Sequence, residues 1–137
     1  FGKPVQIKTS SYSKGASDNF SSKAAILYAL TTLSEDEVNV RGWADFEKAL
    51  LTNSGEENER DYYIISMNKD DSSFHLTSLK RLNKLTSNGN NLPFQIKWKD
   101  NTTPINRNYS DAYRFIVGCY KESVRKKVSV HNLADVL

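Results

Sequence analysis

The chain has 137 residues, 38% of them hydrophobic and 11% aromatic, with a formal net charge of +3. That length suits one domain able to bury a core without staples, and the composition excludes a disordered or collagen-like chain. The small positive excess permits nucleic acid as a partner without requiring it, and the longest apolar run, residues 24–30, is too short to cross a bilayer. No basic-then-apolar leader pattern is found at the N-terminus, which leads to the expectation of a cytoplasmic protein.

In chain order, Val5, Ile7 and Thr9 alternate with Gln6 and Lys8, the period of a strand with one apolar and one polar face. Because this strand opens within residues 1–10, the chain is expected to be a single domain that forms the C-terminal part of a larger domain or chain. A polar loop over 11–19 follows, then a helix carrying Phe20, Ala24, Leu27, Tyr28 and Thr31 on one face, with Asp18 or Asn19 as its cap. Residues 34–37 close that region or cap a turn, and a second helix is expected over 43–51. Beyond a loop containing Glu56, Glu57 and Glu59, the run Tyr62-Tyr63-Ile64-Ile65 predicts a strand buried on both faces. Residues 68–72 are turn chemistry, and 73–77 should return antiparallel. A short helix over 79–85, a turn over 87–91, a strand over 94–98 and a loop over 101–108 come next. Tyr109, Tyr113, Ile116, Val117, Tyr120 and Val124 define a last helix with an apolar stripe, while 128–137 receive no assignment. The sum is a mixed α/β domain with a central, partly antiparallel sheet flanked by helices.

Gln6 and Lys8, one pleat apart on the same face, carry the strongest chemical signal. A carbonyl oxygen and an ammonium so placed can act together, the oxygen on a metal or water and the ammonium on developing negative charge. The competing reading is an ordinary amphipathic strand showing both residues to water. Asp70 and Asp71 read as turn residues, Glu35, Asp36 and Glu37 as a solvated helix end, and Asp18 as a cap or as a carboxylate close behind the Gln-x-Lys strand. His75 and His131 have no companion cysteines, which argues against a zinc site of the common type. Cys119, the single cysteine, lies in an apolar helical stretch and reads as a buried structural thiol. Lys97, Trp98, Lys99, Arg107, Lys126 and Lys127 interleave basic and aromatic character, the pattern of a surface that tracks phosphates and stacks bases.

The stretch Val5-Gln6-Ile7-Lys8-Thr9-Ser10, followed by a polar loop and a helix, resembles the third core strand of PD-(D/E)XK nucleases in the variant that carries Gln at the second acidic position. Residues 61–82 are similar to the region that follows this motif. The resemblance implies a restriction-endonuclease-like fold and Mg²⁺-dependent hydrolysis of DNA phosphodiesters. It gives Gln6 the role of holding Mg²⁺ or its water, the Ile7 backbone carbonyl a place in the metal shell, and Lys8 the attacking water or the pentacovalent charge. It further implies DNA as partner, no membrane, and either a homodimer or association with an upstream fragment. The family pattern needs an Asp upstream of the Gln-x-Lys strand, and no acidic residue precedes Gln6. Two other functions fit the same residues: a non-catalytic nucleic-acid-binding module, and a protein-interaction domain of a larger complex.

Overall fold

The computed structural model describes residues 4–90 and 93–136. Residues 1–3, expected to open the first strand, lie outside that set, as do Asn91 of the 87–91 turn, Leu137 and the side chain of His131. The elements are β1 (Val5–Ser10), β2 (Ser17–Phe20), α1 (Lys23–Leu30), α2 (Glu35–Val38), α3 (Trp43–Thr52), β3 (Tyr63–Asn68), β4 (Phe74–Ser78), β5 (Thr86–Ser87), β6 (Phe94–Lys97) and α4 (Tyr109–Val136).

The domain is mixed α/β, but the expected single central sheet is divided in two. One three-stranded sheet has the order β1-β3-β4 and the other the order β2-β6-β5. β1 pairs with β3 in parallel, with Gln6 opposite Ile64 and Lys8 opposite Ser66. Parallel neighbours need a long crossover, and here it runs through β2 and the helices α1 to α3. β3 and β4 form the anticipated antiparallel hairpin.

The second sheet was hidden because β2, Ser-Asp-Asn-Phe, has no alternation of its own. Its strand character comes from antiparallel pairing with β6, which stacks Phe20 on Phe94 with ring centroids 5.7 Å apart. Tertiary pairing overrides weak local preference there. The helix expected over 79–85 shrinks to a 3-10 turn at Leu79–Arg81. Its continuation is blocked because the Asn83 and Lys84 N–H groups donate to the buried Asn101 Oδ1, at 2.8 and 3.0 Å, instead of to helical carbonyls.

α1 is the centre of the core. Ala25, Ile26, Leu27, Ala29 and Leu30 are all buried, so the helix is apolar around most of its girth, as a helix enclosed on several sides must be. Ser22 caps it by accepting from Ala25 N at 3.2 Å. At its other end Arg60 donates to the carbonyls of Tyr28 and Thr31 at 3.0 and 2.6 Å and lies over the Tyr28 ring. Phe46 of α3, Tyr120 of α4 and Trp43 form an aromatic knot with centroid separations of 5.2 to 5.6 Å. α4 begins at an Asn108 cap, whose Oδ1 accepts from Asp111 N at 2.8 Å, and continues through the segment that sequence left unassigned.

The first sheet is turned opposite to an ordinary amphipathic sheet. Val5 (50% exposed), Ile7 (69%), Phe74 (65%) and Leu76 (55%) stand on its outer face. Gln6, Lys8 and Ser10 take the inner one. β3 is therefore not buried on both faces: Ile64 and Ser66 point in, while Ile65 and Met67 share the half-exposed outer face, which no described element covers.

The turns at the far end of this sheet are latched by carboxylates. Asp70 accepts from Ser11 Oγ at 2.7 Å and Ser13 N at 2.8 Å, and Asp71 accepts from Ser73 Oγ at 2.6 Å. The Ser11 hydroxyl holds the Asp70 carboxyl below its ordinary value, and the hydroxyls of Ser73 and Thr32 do the same for Asp71 and Glu56. A carboxylate depressed in the folded state contributes stability above its unfolded pKa, and that contribution is lost as pH falls through the folded value. Thermal midpoints should therefore stay level from neutral pH to about 5 and decline below it. Asp70→Ala should lower the midpoint at neutral pH, and the gap from wild type should narrow in acid. A gap that is constant with pH would contradict the latch.

Candidate functional site

The inward turn of β1 delivers Gln6 and Lys8 to a cavity of about 320 Å³ between the two sheets. Asp18 and Phe20 of β2, Ile96 of β6, Trp98, Tyr62 and the Ser21–Ser22 approach to α1 complete its lining. Asp18 lies directly opposite Ile96 in the β2–β6 ladder, so both side chains share the cavity face. Sequence placed Asp18 in a loop. What brings it to Gln6 and Lys8 is the β2 strand that had no alternation to announce it.

The Asp18 carboxylate is held, not free to swing: Trp98 Nε1 donates to its Oδ2 at 2.5 Å. The other oxygen has no hydrogen bond to a described residue, and Asp18 forms no ion pair with Lys8 or any other described residue. Lys8 is likewise without a hydrogen bond or ion pair among the described residues. Gln6 Oε1 is buried and has no partner among the described residues. A buried polar group left unsatisfied costs about 1–3 kcal/mol. With neither end of the Gln6 amide bonded, rotation about its last torsion can present oxygen to the cavity as readily as nitrogen.

Farther along the same face the inner row reads Lys8, Ser66, His75 across the three strands. Tyr12 closes the end of this row: its hydroxyl bonds Ser66 Oγ, and its ring lies 5.6 Å from that of His75. His75 also shares a hydrogen bond with Ser73 Oγ at 3.1 Å, which gives it a structural place at the sheet's end.

The N-terminus of α1 faces the cavity through Ser21 and Ser22 and carries no acidic residue in its first turn. Its unpaired N–H groups and dipole add a positive end beside the Lys8 ammonium. The cavity thus brings together oxygens, from Gln6 and Asp18, and donors, from Lys8 and the start of α1.

The expected nucleic-acid surface is dispersed. Trp98 is 1% exposed and belongs to the core, so its ring is closed to a nucleobase. Its phase already said so: it continues the alternation of Phe94 and Ile96, both buried. Lys97 projects from the opposite face of β6 and runs past Gly15, whose φ of +66° suits glycine at that turn. The Arg107 guanidinium donates to the carbonyls of Lys80 and Leu82 at 3.2 and 2.5 Å and lies 3.8 Å from the Phe115 centroid, which makes it a clamp on the 3-10 turn. Lys99 is exposed beside Trp98, and Lys126 and Lys127 are exposed on α4. Arg114 and Arg125 pair with Asp111 and Glu122 on the surface of the same helix.

A second, wider cavity of about 680 Å³ is lined by Asn58, Asp61, Lys80, Arg107 and Tyr109 among others. Two of its cations are already engaged: Lys80 Nζ donates to Asn58 O at 3.0 Å, and Arg107 clamps the 3-10 turn through the carbonyls of Lys80 and Leu82. Burial lowers the Lys80 pKa, against the raising effect of Asp61. Cys119 is half-buried on α4, and desolvation pushes its thiol up to about 11, which leaves it protonated at neutral pH and unsuited to nucleophilic work.

Among the described residues no group of three or more His, Cys, Asp or Glu could hold a metal ion, and no helix is long and apolar enough to cross a membrane. The sequence matches no known protein-family model and no curated protein.

The unsatisfied Gln6 carbonyl generates a stability test. Gln6→Met keeps the length of the side chain and removes the orphaned oxygen, so it should raise unfolding stability by about 1 kcal/mol. Urea denaturation at constant m-value measures this. A loss of stability would mean that Gln6 is held by contacts that the cavity geometry does not contain.

Proposed function

We propose that this domain hydrolyses phosphodiester bonds of DNA with the help of a divalent cation. The observation that carries the proposal is the inversion of β1, which turns Gln6 and Lys8 away from bulk water into a cavity open to solvent and leaves Val5 and Ile7 outside. A strand that served only the fold would gain by the opposite orientation.

An amide at Gln6 that can turn its oxygen into the cavity fits Mg²⁺, a hard cation that takes few oxygens from protein and keeps several waters. When bound, Mg²⁺ would supply Lewis acidity at a phosphoryl oxygen and a lowered pKa for a bound water. Gln6, with the Ile7 backbone carbonyl beside it on β1, would hold that ion. Lys8 would donate to the phosphoryl oxygens as charge builds on them, or to the attacking water, in either case from a strand rather than a mobile loop. The N–H groups that begin α1 would take the phosphate from the other side. Exposed Lys97, Lys99, Lys126 and Lys127 would contribute only the general attraction of a mildly basic surface.

A second reading rests on a different observation. The outer face built by Val5, Ile7, Phe74 and Leu76 is the kind of contiguous apolar surface that marks protein contact sites. A protein-interaction role predicts sedimentation of the chain as an assembly and no dependence on Gln6 or Lys8.

Supercoiled DNA incubated with the chain and Mg²⁺ should be cut, cleavage should stop with chelator, and Lys8→Ala should slow it by about 10²-fold or more. Binding should weaken steeply with salt. Equal cleavage by Lys8→Ala, or no DNA binding even at low salt, would overturn the proposal.

A further inference from the structure

We infer that Asp18 is the anionic ligand of a divalent-cation site in the cavity beneath β1, acting with the Gln6 carbonyl oxygen. The inference deepens the hydrolytic reading and rests on it for the cation's purpose, though not for its binding.

Geometry brings the parts together from separate elements. Gln6 comes from β1 and Asp18 from β2, twelve positions later by number, and both line the same cavity. Asp18 is the only carboxylate in that lining among the described residues. Its Oδ2 is fixed by the indole N–H of the buried Trp98, and its other oxygen is unengaged. A donor behind one oxygen of a carboxylate is how outer-shell partners orient a ligand toward a metal. A pure cap is excluded for Asp18, since Ser22 performs the capping of α1. Gln6 makes no hydrogen bond to a described residue, so its amide is free to turn its oxygen toward a cation in the cavity.

Space agrees with this. Asp18 and Lys8 share the cavity without forming an ion pair. The cavity's 320 Å³ accommodates roughly ten water volumes, enough for a cation that retains most of its hydration shell. One carboxylate and one amide oxygen make a weak site, with a dissociation constant on the order of 10⁻⁴–10⁻³ M.

Trp98 supplies the readout, because its indole touches the proposed ligand. Tb³⁺, a hard oxygen-seeking probe, should bind the full chain and emit when tryptophan is excited, and Mg²⁺ should displace it. Asp18→Asn preserves an acceptor for the Trp98 N–H and removes the charge. It should weaken Tb³⁺ binding more than about tenfold with no change in melting temperature. Gln6→Glu, which replaces a neutral oxygen by a charged one, should tighten binding by a similar factor. If both variants bind Tb³⁺ as wild type does, or if wild type gives no saturable emission, the site is refuted. Should Asp18→Asn lower the melting temperature, Gln6→Glu alone decides, since an unchanged affinity there also refutes the site. Asp18-dependent Tb³⁺ binding without DNA cleavage would retain the site and defeat the hydrolytic reading. Mg²⁺-dependent cleavage indifferent to both variants would do the reverse.

Discussion

Six residues of β1 lie in parallel register with six of β3, and that ladder decides which side chains the cavity receives. Side chains alternate along a strand, so a slip of one residue would exchange Gln6 and Lys8 for Val5 and Ile7. Nothing in the apolar pattern of β1 favours the observed choice. Backbone bonds close both ends of the ladder: Tyr63 N donates to Pro4 O at 3.0 Å at one end, and Lys69 N donates to Ser10 O at 2.8 Å at the other. Asp70 then fastens the turn after β1 to the turn after β3. These pins fix the inner row, and with it the meeting of Gln6, Lys8 and Asp18.

The inner face of the first sheet is expensive in stability. Besides Gln6 Oε1, the hydroxyls of Ser10, Thr77 and Ser78 are buried without partners, and each such group subtracts from the folded state. The compensation comes from elsewhere in the domain, from the enclosed α1 and the knot of Trp43, Phe46 and Tyr120. A polar, under-satisfied patch carried by a well-packed remainder is the pattern found where function and stability conflict.

Much of the fold was legible where one element makes its own case. The Tyr63–Asn68 strand, its return partner, the Trp43–Thr52 helix and the stripe of α4 each announce themselves in local periodicity. The failures share a cause, which is structure conferred by distant residues. β2 is a strand because β6 pairs with it, and the helix expected over 79–85 stops short because Asn101 takes the amides of Asn83 and Lys84. The site was half legible. Alternation placed Gln6 and Lys8 together but gave no indication of which face looked inward, because that depends on what covers each side. Trp98 was assigned to a surface, although its phase with Phe94 and Ile96 already placed it inside.

The separation between β1 and β3 also governs how the molecule comes apart. The β3–β4 hairpin closes through a short local turn, whereas β1 must find a partner 58 positions away, as Val5 does with Tyr63. Closing so long a loop costs more entropy and is returned only when the whole ladder forms. Among the described strands β1 is moreover an edge strand, bonded on one side alone. Folding should therefore add β1 late, and partial unfolding should release it early, opening the cavity while the α1 core stays intact. The part of the protein that presents Gln6 and Lys8 to the cavity is, on this account, the part most easily lost.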